Sequence, residues 1–199
     1  MDRRDFIKTA GSAVLLIGCA EIGWAVAPPK TPFRSPRKDA VKLTEELWKE
    51  VLDPLSFYVL RQGGTERAFT SPLNRNKAEG VYVCAGCGLP LFDSRAKFDS
   101  GTGWPSFFKP IAKNRVLDRP DDSMGMRRTE NVCARCGGHL GHVFNDGPRP
   151  TGLRYCMNGA ALAFVERRRV SELGDPPKVF LVGKLPSAKA QPRPPGARP

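Results

Sequence analysis

Cys84-Ala85-Gly86-Cys87-Gly88 and Cys133-Ala134-Arg135-Cys136-Gly137-Gly138 are near copies of one knuckle. Two residues between thiols let the backbone turn tightly enough to offer both sulfurs to one ion, and the following glycine supplies the conformational freedom for that turn. Two such pairs make a closed, tetrahedral four-thiolate site, the arrangement zinc prefers in a structural role. The 45 intervening residues far exceed the roughly 15–20 of a simple zinc ribbon, so the ion is expected to clip two distant parts of one sheet domain together. A pair of disulfides or a redox C-x-x-C are the alternatives. A redox pair normally opens a helix, whereas Cys84 follows the strand-like Val81-Tyr82-Val83.

The surrounding sequence is mainly β. Gly (20) and Pro (19) punctuate the 199 residues heavily, which favours short strands and turns over long helices. Val81–Val83, Gly141–Phe144 and Leu162–Val165 read as strands, and Val179–Val182 as an edge strand. One short helical segment precedes them. Thr44 is placed as an N-cap with Glu45 and Glu46 in the first turn, and Leu47, Val51 and Leu55 fall at four-residue spacing on one face. Asp53-Pro54 interrupts it, and a second short turn is expected near Phe57–Leu60.

The ends have a different character. Arg3-Arg4 before the short apolar run Ala13–Ile17 matches a twin-arginine export signal over residues 1–27, the run being too short for an ordinary membrane span. Ala25-Val26-Ala27 has the form of a cleavage site, and Leu16-Ile17-Gly18-Cys19 resembles a lipoprotein box, so periplasmic release is expected, with lipid anchoring at Cys19 as the alternative. Residues 28–40 read as a Pro-rich basic linker, 41–170 as the globular domain, and 171–199 as an extension disordered toward its end. Much of the +12 net charge sits in these arms. No basic helix or aromatic-interleaved RNA motif accompanies it, so nucleic-acid binding is not expected.

With the knuckles and Cys19 set aside, one thiol remains, Cys156 in Gly152-Leu153-Arg154-Tyr155-Cys156-Met157-Asn158. A lone cysteine is commonly a buried core residue. Here Arg154 stands two residues away, on the same side of an extended segment, where a cation favours the thiolate. Both histidines of the chain lie in His139-Leu140-Gly141-His142, and Gly103-Trp104-Pro105-Ser106-Phe107 puts an aromatic wall at a turn, suited to an apolar ligand group.

KFDSGTGWPSF (97–107), HLGHVFNDGP (139–148) and PTGLRYCMN (150–158), in this order and interleaved with the knuckles, resemble the methionine-R-sulfoxide reductase (MsrB) family from about Thr44 to Phe164. The resemblance implies a fold of two antiparallel sheets with a short N-terminal helical segment, and structural zinc on Cys84, Cys87, Cys133 and Cys136. It makes Cys156 the nucleophile that attacks the sulfoxide sulfur and becomes a sulfenic acid. His139, His142 and Asn158 are then expected around the sulfoxide oxygen. Trp104 holds the methyl group, and Phe107 and Arg154 complete the substrate site. Oxidised proteins or peptides are the expected substrates, and a monomer the expected state.

Many family members carry a resolving cysteine where this chain has Thr102, in Gly101-Thr102-Gly103-Trp104-Pro105. The expected consequence is regeneration by an external thiol, such as a thioredoxin-like partner. Met157 and Gly159 are mild departures. Two rivals remain. A zinc-dependent binding module would keep its function in Cys156→Ala, and a C-x-x-C oxidoreductase would not unfold on chelation. Neither accounts for the clustering of Trp104, both histidines and Cys156.

Overall fold

The computed structural model describes residues 33–173. The twin-arginine, cleavage-site and Cys19 readings, and the expected strand at Val179–Val182, lie outside the described residues. Helix α1 (Glu45–Val51) begins as expected at Thr44, whose hydroxyl accepts the Leu47 N–H. Asp53 caps a second helix, α2 (Pro54–Gln62), with Pro54 at its first turn and Gly63 in the left-handed conformation at its end. So Asp53-Pro54 does break the segment, but the second element is a nine-residue helix rather than a short turn. The buried apolar side chains are Trp48, Leu52, Phe57, Val59 and Leu60, while Leu47 and Leu55 are exposed. The four-residue spacing fails because α1 stops at Val51, so Leu55 belongs to a different helix with its own rotation. A single-turn helix, α3 (Pro72–Arg75), completes the helical part.

Among the described residues, nine strands form two antiparallel sheets. The first has the order β2 (Pro90–Asp93), β1 (Gly80–Cys84), β9 (Leu162–Glu166). The second runs β3 (Lys97–Phe98), β4 (Ser106–Phe107), β8 (Arg154–Met157), β7 (His139–Phe144), β6 (Arg128–Cys133), β5 (Val116–Asp121). The expected strands at 81–83, 141–144 and 162–165 are present with small extensions. The core is built from Tyr82, Leu89, Leu91, Phe92, Phe107, Leu140 and Met157, closed by Trp48, Val59 and Leu60 from the helices. No helix among the described residues is long and apolar enough to cross a membrane.

Residues 33–40, expected to be linker, have no regular structure but are tied down. The Ser35 hydroxyl donates to the Ala134 carbonyl at 2.6 Å, and Asp39 meets both Arg37 and Arg135. Gly137, at φ +72°, leaves no room for a Cβ against the Phe33 ring. The second knuckle thus has its own cover.

Candidate active site and metal centre

The two knuckles have the same backbone. Gly88 N–H donates to Cys84 O and Gly137 N–H to Cys133 O, each at 2.8 Å, and both glycines have φ near +72°. Cys84 ends β1 and Cys133 ends β6, so the pairs bring one thiol couple from each sheet. The four sulfurs lie within 4.8 Å of one another, with 3.7 Å between Cys84 and Cys136 and 3.5 Å between Cys87 and Cys133. A sulfur–sulfur bond needs about 2.05 Å, whereas tetrahedral zinc with bonds of about 2.3 Å separates its sulfurs by about 3.8 Å. The cysteines therefore fit a metal ion and do not fit disulfides, and four buried thiols packed against one another suit a cation that replaces their protons.

Cys156 sits between two strands. Its β8 register places it opposite His142 of β7 on one side and Ser106 of β4 on the other. It is partly exposed, and it is the one thiol among the described residues outside the four-cysteine cluster. Thr102 Oγ1 lies 3.9 Å from its sulfur. Burial pushes the Cys156 thiol above its ordinary range; Thr102, Arg154 and Ser106 pull it back without cancelling that effect. Arg154 is on the same strand face as expected, but its guanidinium is held by both carboxylate oxygens of Asp146 at 2.8 Å and lies over the Phe144 ring. Its cation is thus shared with a carboxylate, which weakens its hold on the thiol.

The histidines are each oriented by an acid. His139 Nδ1 bonds Glu130 at 2.7 Å, and its Nε2 is buried without a partner among the described residues. His142 Nε2 bonds Asp121 at 2.7 Å, and the two imidazoles meet edge to face at 5.4 Å. Burial holds His142 below its ordinary range even against the Asp121 carboxylate, so it is neutral near pH 7. Burial would raise Asp121, but hydrogen bonds from Ser123 and His142 and the Arg128 guanidinium outweigh it and keep the carboxylate ionised.

Trp104 is half-buried, and its indole N–H donates to the Glu66 carbonyl at 3.1 Å. Asn158, expected at the substrate oxygen, is 3 % exposed and engaged internally. Its Oδ1 accepts the Glu66 N–H and its Nδ2 donates to Leu140 O, which leaves one amide hydrogen. Phe107, expected at the substrate, is placed elsewhere. It is fully buried, stacked on Phe92 at 4.4 Å and edge-on to Tyr82, because its pleat position faces the other sheet while Ser106 faces Cys156.

Glu66 was not legible in the sequence. Its carboxylate accepts the N–H groups of Gly159 (2.6 Å) and Ala160 (2.8 Å), and its backbone serves Asn158 and Trp104. One buried residue therefore joins the tryptophan to the loop after Cys156. Nothing in local spacing marks it, since the partners of its carboxylate lie more than 90 residues away along the chain and Trp104 lies 38 away.

A thiol on a strand, opposite one of two carboxylate-held imidazoles that meet edge to face, is the equipment of a cysteine-dependent enzyme. The SelR domain model matches residues 52–166, and the chain belongs to that family. Among its relatives are proteins named peptide methionine sulfoxide reductase MsrB. That of Leptospira interrogans is 56% identical over 124 residues, covering 62% of this chain and 95% of that protein. That of Methanosarcina barkeri is 58% identical over 125 residues, covering 63% and 88%. The Pseudomonas savastanoi relative is 55% identical over 130 residues, covering 65% and 99%.

Proposed function

We propose that this chain is a peptide methionine sulfoxide reductase that acts on the R epimer in oxidised proteins and peptides, with Cys156 as the nucleophile. The observation that carries this reading is the position of Cys156, opposite His142 across β7–β8 and outside the metal cluster. The relatives named peptide methionine sulfoxide reductase supply the substrate class.

In the proposed step the Cys156 sulfur attacks the sulfoxide sulfur as the S–O bond breaks. Attack makes a sulfur–sulfur bond and the protonated oxygen leaves as water; a water then adds to the Cys156 sulfur and breaks that bond, releasing the thioether and leaving a sulfenic acid, so one sulfur is oxidised by two electrons and the other reduced by two. The oxygen must gain a proton to depart. His139 suits this role: Glu130 holds Nδ1, so a proton taken up at Nε2 leaves a cation against a buried carboxylate. Neutral His142 is oriented by Asp121 beside it. Trp104, fixed through Glu66, is the wall for the methyl group.

Thr102, the position the family resemblance marks for a resolving cysteine, puts a hydroxyl and not a thiol 3.9 Å from Cys156, so the sulfenic acid is proposed to be cleared by two external thiols, giving water and a disulfide on the reductant. Cys84, Cys87, Cys133 and Cys136 would hold a structural zinc ion that ties the two sheets. Residues 1–27 are proposed as a twin-arginine export signal. Retention of an Arg3→Lys, Arg4→Lys double variant in the exported fraction would refute that.

A reductant-free single turnover tests the chemistry. Reduced, zinc-loaded protein is mixed with R- or S-methionine sulfoxide peptide. The expected result is one methionine per enzyme from the R form only, with a dimedone-trappable sulfenic acid on Cys156. No methionine from either epimer would return the protein to the binding-module reading.

A further inference from the structure

Phe69 combines two features that neighbouring residues do not share. It is the one non-glycine residue with positive φ among the described residues, at +66°. Among the described residues it is also the most exposed of the large hydrophobic side chains, at 62 %. A solitary exposed apolar residue is ordinary, and so is a left-handed asparagine or glycine in a loop. A bulky aromatic held in that conformation with its ring in solvent works against both local preferences.

Its place in the fold gives the combination meaning. The Phe69 N–H donates to Gly103 O at 2.8 Å, and its ring lies over the Gly103 α-carbon, where a Cβ would come within 2.8 Å of Cδ2 and Cε2. Gly103, at φ +90°, separates Thr102, whose hydroxyl is 3.9 Å from Cys156 Sγ, from Trp104. Segment 66–69 is thus laced to segment 102–104 at both ends, by Glu66 to Trp104 and by Phe69 to Gly103. The ring stands on the rim of the catalytic site on a backbone fixed in advance, the condition under which an exposed aromatic contributes binding rather than mobility.

We infer that Phe69 is a specificity-determining residue: its ring receives the apolar side chain adjacent to the methionine sulfoxide in a polypeptide substrate. This rests on the reading of Cys156 as the sulfoxide-reducing thiol. Methionine is a core-filling residue, and its oxidation disrupts the packing around it. The neighbours presented along with the sulfoxide are therefore frequently apolar, and successive residues of an extended chain are about 3.3 Å apart, so a platform one residue from the Trp104 wall meets them.

The test uses zinc-loaded full-length protein in the reductant-free single turnover. Three substrates are compared: N-acetyl-methionine-R-sulfoxide, a pentapeptide with leucine on each side of the sulfoxide, and the same peptide with glycine there. Phe69→Asn keeps a side chain that tolerates the left-handed backbone, so its melting temperature should equal or exceed that of the wild type. Its efficiency on the leucine peptide is expected to fall about tenfold further than on the other two, the scale of losing one apolar contact in a pocket, and Phe69→Leu should restore most of it. An equal loss on all three substrates, no loss on any, or a loss confined to reductant-coupled turnover overturns the inference, the last by assigning the ring to the reductant. A wild-type protein inert toward all three overturns the Cys156 reading and this one with it, whereas a failed contrast in an active wild type overturns the role of Phe69 alone.

Discussion

Replacing Glu66 with glutamine is expected to destabilise the protein by about 2–4 kcal/mol, out of proportion to a change of one atom. The carboxylate offers an oxygen to each of two backbone donors, Gly159 N–H and Ala160 N–H, at 2.6 and 2.8 Å, in a place that is 4 % exposed. Glutamine has one acceptor oxygen, and its amide nitrogen would face the other N–H donor to donor. One charge-assisted hydrogen bond is lost, worth roughly 1.5–3 kcal/mol, and one buried donor is stranded at a cost of about 1–3 kcal/mol; the two overlap, hence the combined figure. Urea unfolding of the zinc-loaded protein at pH 7 measures it, read as a lower midpoint at unchanged slope. Glu172→Gln is the matched control, because its partner Arg169 is a surface ion pair and the change should stay within about 0.5 kcal/mol. Substrate binding should change less than stability, since Trp104 is held by the Glu66 backbone carbonyl, which the substitution keeps. If Glu66→Gln unfolds within about 0.5 kcal/mol of the wild type, the carboxylate does not hold the loop after Cys156 and the reasoning fails.

Burial dominates at Cys156, so iodoacetamide alkylation of the free enzyme should have its midpoint above the ordinary thiol value of about 8.5, and Arg154→Met should raise it further by removing a cation that favours the thiolate; a midpoint below that value would contradict the burial account. Glu130→Gln removes the carboxylate that holds His139 Nδ1 and should slow the single turnover about 10²-fold or more at unchanged fold, checked by rapid quench and circular dichroism. Chelation, or Cys133→Ser, should unfold the protein in step with loss of one zinc by elemental analysis; a chelated protein that keeps its melting temperature would show that the cluster is not structural. Thr102→Cys, beside Cys156, should convert the sulfenic acid into an internal disulfide after one turnover, detected by mass as loss of two hydrogens, and a persistently trappable sulfenic acid in that variant would contradict the observed proximity.

Much of the chemistry is local and was legible without coordinates. The knuckles encode their own geometry, because two residues and a glycine are all that a turn presenting two sulfurs requires. Cys156, the histidine pair and Trp104 stand in short segments whose composition is unusual enough to be recognised. Strand β1, β9 and the capped start of α1 were readable for the same reason: pattern and cap lie within a few residues of each other. The short strands β2, β3 and β4 were not, since two to four residues carry too little periodicity to distinguish strand from loop.

What tertiary structure alone decided is which group faces which. Asp121 reaches His142 and Glu130 reaches His139 only because β5, β6 and β7 pair in a particular register, and a slip of one residue would turn each acid to the other face. The same alternation sends Ser106 to Cys156 and Phe107 into the core, against the expectation that the phenylalanine lines the site. Glu66 and Phe69 acquired their roles from partners 34 to 94 residues away. The sequence by itself determined which thiol stands apart, the four thiols that cluster and the mainly β class, because these are written in residue type and near spacing. The protonation, orientation and access of the reacting groups were set by contacts between distant segments, and burial and register exist only once the chain has folded.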